Sequence, residues 1–123
     1  MRRLVVLTFA LLLAACSDGP FDPHDRERDL AGTYWAESVD GVPIPHWSHA
    51  MVSAELELRR DGTFSEWWML ENDTWEYHGR WRLVGDEIRF TEHDGAFLEN
   101  GYVYGRRLEL SESGIVYVKD RDY

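Results

Sequence analysis

The sequence predicts an all-β domain folded as a small antiparallel up-and-down barrel or half-barrel, and two observations carry that prediction. From about residue 30 onward, apolar and polar residues alternate in short runs, which is the pattern of strands with one buried face. Turn signals such as Asp61-Gly62, Gly85-Asp86 and His93-Asp94-Gly95 separate these runs and are typical of tight hairpins. The pattern indicates roughly seven to nine strands.

The run SAELELRRDGTFSEWWML, residues 53–70, shows the alternation most clearly. Two strands joined by Asp61-Gly62 place their apolar residues on one face: Ala54, Leu56, Leu58, Phe64, Trp68 and Leu70. Glu66 interrupts that face, whereas Trp67 and Met69 fall on the opposite one. We therefore expect a hairpin with one buried side that contains a carboxylate.

The run TWEYHGRWRL, residues 74–83, predicts the next strand. Its apolar face carries Trp75, Tyr77, Trp81 and Leu83, with Gly79 between the bulky aromatic residues. A glycine in that place indicates either room made for large neighbours or a bulge. Four further strands are expected, with Ile88 and Phe90 inward on the first, in the segments EIRF, AFLENGYVYG, RRLEL and GIVYVKD.

Short links between the predicted strands favour a sheet in which each strand pairs with the next, and closure of such a sheet removes its exposed edges. A two-sheet β-sandwich with Greek-key links is the alternative, although it needs a long return connection. Residues 45–51 form the one segment where a short helix or an irregular crossing is expected.

Three segments carry a resemblance to lipocalins. Gly32-Thr33-Tyr34 looks like the Gly-x-Trp start of that family, with Tyr34 in place of the tryptophan. ELRRDGTFS and HGRWRLVGDEIRF are similar to segments of small bacterial lipocalin-like lipoproteins. The resemblance extends over most of residues 30–119, and it implies a barrel that binds a small hydrophobic ligand.

The amino terminus predicts export. Arg2 and Arg3 precede an apolar run over residues 4–13 that ends in small residues, which is the layout of a secretory signal peptide. The run is shorter than the roughly 20 residues that a membrane span requires. Leu13-Ala14-Ala15-Cys16 resembles the lipobox of bacterial lipoproteins.

The lipobox resemblance implies that residues 1–15 are removed and that Cys16 carries acyl chains such as palmitate. Two or three chains give stable membrane anchoring. Residues 16–29 then form a flexible tether, and residues 30–123 form the barrel domain. Ser17 after the cysteine implies the outer membrane of the bacterial cell envelope, with the domain facing the periplasm.

Charge and the single cysteine exclude several classes of function. Of the 13 Lys and Arg residues, Arg2 and Arg3 precede Cys16, so 11 basic residues face 23 acidic ones and the formal charge from residue 16 onward is −12. Such a chain repels nucleic acid. Once Cys16 is lipidated, no thiol is left for a disulfide or a thiolate metal site.

Aromatic residues are the most unusual feature, with six tryptophans, six tyrosines and five phenylalanines. On the inward faces they either fill the core or line a pocket for a hydrophobic ligand. These candidate core or pocket residues are Tyr34, Phe64, Trp68, Trp75, Tyr77, Trp81 and Phe90. If the core is filled, the alternative function is a structural or interaction lipoprotein that contacts another envelope component through its acidic surface or through Trp67 and Met69.

Motifs for catalysis or metal binding are weak. His46 and His49 form a His-x-x-His pair, but a metal site needs further ligands. Glu92, Asp94 and Glu99 lack the spacing of a calcium loop and are interpreted as solvated turn charges. The sequence has no nucleophile elbow, phosphate loop or His-Glu-x-x-His motif, so we predict neither an enzyme nor a bound cofactor or metal.

Overall fold

The computed structural model describes residues 29–46 and 50–120. The predictions made for the signal peptide, Cys16, most of the tether and His49 lie outside these residues. The elements of the described part are strands: β1 Gly32–Val39, β2 Val42–Pro43, β3 Met51–Leu58, β4 Thr63–Leu70, β5 Thr74–Val84, β6 Glu87–Thr91, β7 Phe97–Tyr104, β8 Arg107–Leu110 and β9 Ile115–Lys119.

The strands form one antiparallel sheet that closes on itself. From β3 to β9 each strand pairs with the next along the chain, and β1 pairs with β3 on one side and with β9 on the other. Eight strands thus make a closed barrel, and the two-residue β2 adds to the end of β1. The predicted small barrel is confirmed, and the sandwich alternative is wrong.

β1 closes the barrel because it pairs along both of its edges, with β3 over residues 32–35 and with β9 over residues 34–39. Its first residues pair with β3, from Gly32 opposite Leu58. Its later residues pair with β9, where the register shifts between Ala36 and Ser38. A shift of this kind bends a strand and increases its twist, which lets a short strand bridge both edges of the sheet.

The predicted alternation is confirmed on β3, whereas on β4 Ser65, on the face opposite Phe64, is also buried at 1% exposed. Ala54, Leu56 and Leu58 are each 1% exposed. On β4, Glu66 is on the inner face with Phe64 and is only 8% exposed, so the carboxylate does enter the core.

The two ends of the barrel differ in how they are packed. The turns β3–β4, β5–β6 and β7–β8 lie at one end, here named the closed end, where Trp81 is buried and its Nε1 donates to the carbonyl oxygen of Arg59 at 2.9 Å. Tyr34 is also buried, and its hydroxyl donates to the carbonyl oxygen of Leu30 at 2.6 Å. The turns β4–β5, β6–β7 and β8–β9 lie at the other end, here named the open end.

Gly79 makes room for its neighbours. A Cβ at this position would lie 2.2 Å from the carbonyl oxygen of Thr91 and 2.8 Å from Cε1 of Phe64. The β4–β5 register runs through Gly79 without a shift. Of the two interpretations of this glycine, close approach is therefore the correct one.

Candidate functional site

The open half of the barrel encloses a cavity of about 170 Å³. An engineered cavity of about 150 Å³ in another protein binds benzene, so this space fits a molecule with a single ring. The cavity is partly open to solvent. Its lining residues come from β3 to β8: Leu56, Phe64, Glu66, Trp68, Tyr77, Phe90, Leu98, Glu99 and Leu110.

Aromatic contacts build the wall of this cavity. Phe64 and Phe90 meet edge to face with ring centroids 5.0 Å apart. Trp68 meets Tyr77 in the same way at 5.1 Å, and it stacks on Trp75 at 6.2 Å with an angle of 11° between the planes. Such pairs contribute about 0.5–1.5 kcal/mol each beyond their buried area. The wall is therefore held in place without a ligand.

The seven predicted aromatic residues divide between core and pocket. Phe64, Trp68, Tyr77 and Phe90 line the cavity. Trp75 is at the rim, 47% exposed, with its Nε1 donating to Asp73. The other two, Tyr34 and Trp81, fill the closed end.

A buried carboxyl group projects from the β4 wall of the cavity. The Tyr117 hydroxyl donates to Oε2 of Glu66 at 2.5 Å. Burial raises the pKa of Glu66, while the Tyr117 hydroxyl and the nearby Trp68 indole act in the opposite direction by favouring the charged form. Burial and the adjacent carboxyl of Glu66 also raise the pKa of Tyr117, so this phenol stays protonated and remains a donor.

A second carboxyl group enters the cavity from β7. Oε1 of Glu99 accepts a hydrogen bond from the Ser113 hydroxyl at 3.1 Å. Burial raises the pKa of Glu99, Ser113 lowers it, and the charge of Glu66 raises it further. The two carboxyl groups are therefore close enough to interact. This result corrects the interpretation of Glu99 as a solvated turn charge, because Glu99 lies opposite Phe90 in the regular part of the β6–β7 register and both residues line the cavity.

Two further polar groups belong to the same region. The indole Nε1 of Trp68 is buried and makes no hydrogen bond of normal geometry. Burial and the charge of Glu66 raise the pKa of Tyr77. The site thus combines aromatic walls with two carboxyl groups, a phenol and an indole N–H.

Sequence reasoning named the aromatic wall but missed Glu66, Glu99 and Tyr117 as site residues. Glu66 had a signal, since it was the one charged residue on the apolar face of β4. Tyr117 alternates with outward valines in GIVYVKD, and its burial was to be expected. Glu99 had only a weak signal: it alternates with Gly101 and Val103 in AFLENGYVYG, but this run has apolar residues on both faces, so its inner face could not be assigned.

The other candidate residues do not form sites in the described part of the chain. No group of three or more His, Cys, Asp or Glu side chains within residues 29–46 and 50–120 is placed to hold a metal ion. Glu92 and Asp94 are exposed in the β6–β7 turn. Over the same residues, no helix has the length and apolar character of a membrane span.

Comparison with known proteins adds no relative. Neither a family model nor a curated protein nor a solved structure matches this chain.

Proposed function

We propose that this chain is a lipid-anchored protein of the bacterial cell envelope whose lipocalin-like barrel binds a small hydrophobic ligand. The observation that supports ligand binding is the aromatic-walled cavity of about 170 Å³ in the open half of the barrel. Binding pockets are typically concave and mostly apolar, with a few polar groups that orient the ligand. This cavity has both properties, at a size that suits one ring.

Titration of the purified protein with toluene and indole tests this proposal. Trp68 lines the cavity and stacks on Trp75, so a bound ring changes their environment. We expect a saturable change in tryptophan emission and a matching heat of binding by calorimetry. Absence of saturable binding by either compound would contradict the proposal.

A pair of variants localises the binding. Leu98 lines the cavity and is half-buried, so Leu98→Phe places a ring in the space that the ligand needs. Val84 at the end of β5 is 43% exposed, and Val84→Phe adds the same ring outside the cavity. We expect Leu98→Phe to lose most of the binding and Val84→Phe to retain it.

The anchor in this proposal is supported by the lipobox resemblance of Leu13-Ala14-Ala15-Cys16. Cells that express the chain and its Cys16→Ser variant can be grown with radiolabelled palmitate and fractionated. We expect the label and outer-membrane attachment in the wild type alone. An unlabelled wild type would remove the anchor from the proposal and leave ligand binding in place.

A second candidate function is contact with another envelope protein through Trp67 and Met69 on the outer face of β4. Met69 is 39% exposed, which supports a contact patch. Trp67 is half-buried and its Nε1 donates to Glu76 at 2.7 Å, so the apolar part of this patch is small. A photocrosslinker at Met69 would trap a partner protein in cells if this function holds, and an uncrosslinked chain would count against it.

A further inference from the structure

We propose that the ligand of the cavity is a small organic ammonium ion, consisting of one apolar ring and one protonated amine held between Glu66 and Glu99. This inference rests on the proposed function, because it names the chemical class of the hydrophobic ligand.

The position of the Glu66 carboxyl group is the first argument. Glu66 is 8% exposed, and its Oε2 accepts the hydrogen bond from Tyr117. The Trp68 indole also favours the charged form of Glu66, and Glu66 lines the cavity. A buried carboxylate is costly unless it is paired with an opposite charge as well as hydrogen-bonded, and the described lining residues supply hydrogen-bond donors but no such charge.

The absence of a cation in the lining is the second argument. Glu66 and Glu99 are the charged residues of the cavity wall, and no Lys, Arg or His is among its described lining residues. Two carboxylates in one partly desolvated site repel each other. A ligand with a positive charge removes that repulsion, whereas an anionic ligand adds to it.

The aromatic wall is the third argument. Trp68 and Tyr77 line the same cavity as the two carboxyl groups. Aromatic faces attract cations, with tryptophan the strongest, and desolvation increases the effect. The same rings also contact the apolar part of the ligand. In a space of about 170 Å³, an amine attached to a single ring therefore contacts the carboxyl groups and the aromatic rings at the same time.

Calorimetry with benzylamine, benzyl alcohol, toluene and benzoate tests the charge of the ligand, because the four probes share one ring. At neutral pH we expect benzylamine to bind at least tenfold more tightly than benzyl alcohol, and benzoate to bind most weakly.

Charge-neutralising variants identify the residues responsible. We expect Glu66→Gln and Glu99→Gln each to lose most of the preference for benzylamine over benzyl alcohol, with toluene binding retained. The matched control is Glu109→Gln, because Glu109 is exposed on the outer side of β8 and its substitution changes the net charge equally. This variant should keep the preference. Retained toluene binding shows that the barrel of each variant is folded.

The pH dependence of benzylamine affinity provides an independent measurement. The titratable groups that face Glu66 are Tyr77 from β5, Glu99 from β7 and Tyr117 from β9. Because burial raises the pKa of Glu66, protonated Glu66 must release its proton to bind the ammonium ion. Affinity for benzylamine should therefore increase as pH rises through this pKa, with no such change for toluene.

The outcomes separate this inference from the proposed function. If toluene or benzyl alcohol binds as tightly as benzylamine, or if benzoate binds most tightly, the ammonium inference is overturned and the hydrophobic cavity remains a binding site. If the preference persists in both Glu66→Gln and Glu99→Gln, the assignment of the amine to these carboxyl groups is overturned. If none of the ring compounds binds, the proposed function fails as well.

Discussion

Replacement of Gly79 by alanine should destabilise the barrel, although alanine is normally the better strand residue. Gly79 does not have a left-handed backbone, so a methyl group alone would favour the strand by about 0.5–1 kcal/mol. The methyl carbon would, however, lie 2.2 Å from the carbonyl oxygen of Thr91. A carbon and an oxygen approach no closer than about 3.3 Å in ordinary contacts, so β5 and β6 must separate by about 1 Å.

The size of the effect follows from that separation. Overpacking typically costs about 1–3 kcal/mol, and the neighbouring β5–β6 hydrogen bonds lengthen, at about 1 kcal/mol each if lost. The Phe64 ring, 2.8 Å from the same methyl group, must also move toward the cavity. We expect the free energy of unfolding to fall by about 2–4 kcal/mol, together with weaker binding of ring compounds.

Urea denaturation of the variant and of a second glycine variant measures this loss. Gly105 has φ of 61°, and a Cβ there meets nothing within 4 Å. Gly105→Ala therefore reports the cost of a left-handed alanine, about 1–2 kcal/mol, with no steric clash. If Gly79→Ala is as stable as the wild type, or more stable, then the close approach of residue 79 to the carbonyl oxygen of Thr91 is incorrect.

Three other variants test the polar contacts of the barrel. Burial raises the folded-state pKa of Glu66 above its usual 4.5, so ionisation of Glu66 destabilises the fold. The free energy of unfolding of the wild type should therefore fall as pH rises from 4.5 through the raised pKa. Denaturation of Glu66→Gln over the same pH series should show no such fall. Tyr117→Phe removes the hydrogen bond to Glu66 and, by the same assay, should cost about 1.5–3 kcal/mol where Glu66 is charged and about 0.5–1.5 kcal/mol in acid, where it is neutral. Trp81→Phe removes the indole N–H that donates to the carbonyl of Arg59, which keeps the Gly62 N–H as a donor, and the lost hydrogen bond should lower thermal stability by about 0.5–1.5 kcal/mol, measured by calorimetry.

Local alternation was sufficient to predict most of the sheet. Side chains of a strand alternate between its two faces, so the buried positions of β3 could be assigned without knowledge of any partner. The turn signals then ordered the hairpins, because adjacent antiparallel strands need only a short link. The pairing of β1 with β9 has no local signal. It joins the first strand of the barrel to the last, which lie far apart in the sequence.

The cavity was beyond sequence reasoning because equivalent residues occupy different depths in the barrel. Trp68 and Trp81 are both tryptophans on the inward face of neighbouring strands. Trp81 lies at the closed end, where the carbonyl of Arg59 accepts its indole N–H and neighbouring side chains bury it to 5% exposure. Trp68 lies toward the open end, and its indole N–H has no such partner. Alternation specifies the face of a side chain but contains no information on its depth.

Sequence alternation was also insufficient to predict how the two carboxyl groups of the cavity act together. A charged residue on the buried face of a strand is costly, so Glu66 on the apolar face of β4 was a legitimate signal for a site. One buried carboxyl group needs only a hydrogen-bond donor, and the phenol of Tyr117 supplies it to Glu66. With Glu99 beside Glu66, two carboxyl groups interact and their negative charge has to be balanced. That second carboxyl enters the barrel because the β6–β7 register places Glu99 opposite the inward-facing Phe90. The expectation of a cationic ligand therefore depends on register, which is set by the whole sheet, and not on the composition of either strand.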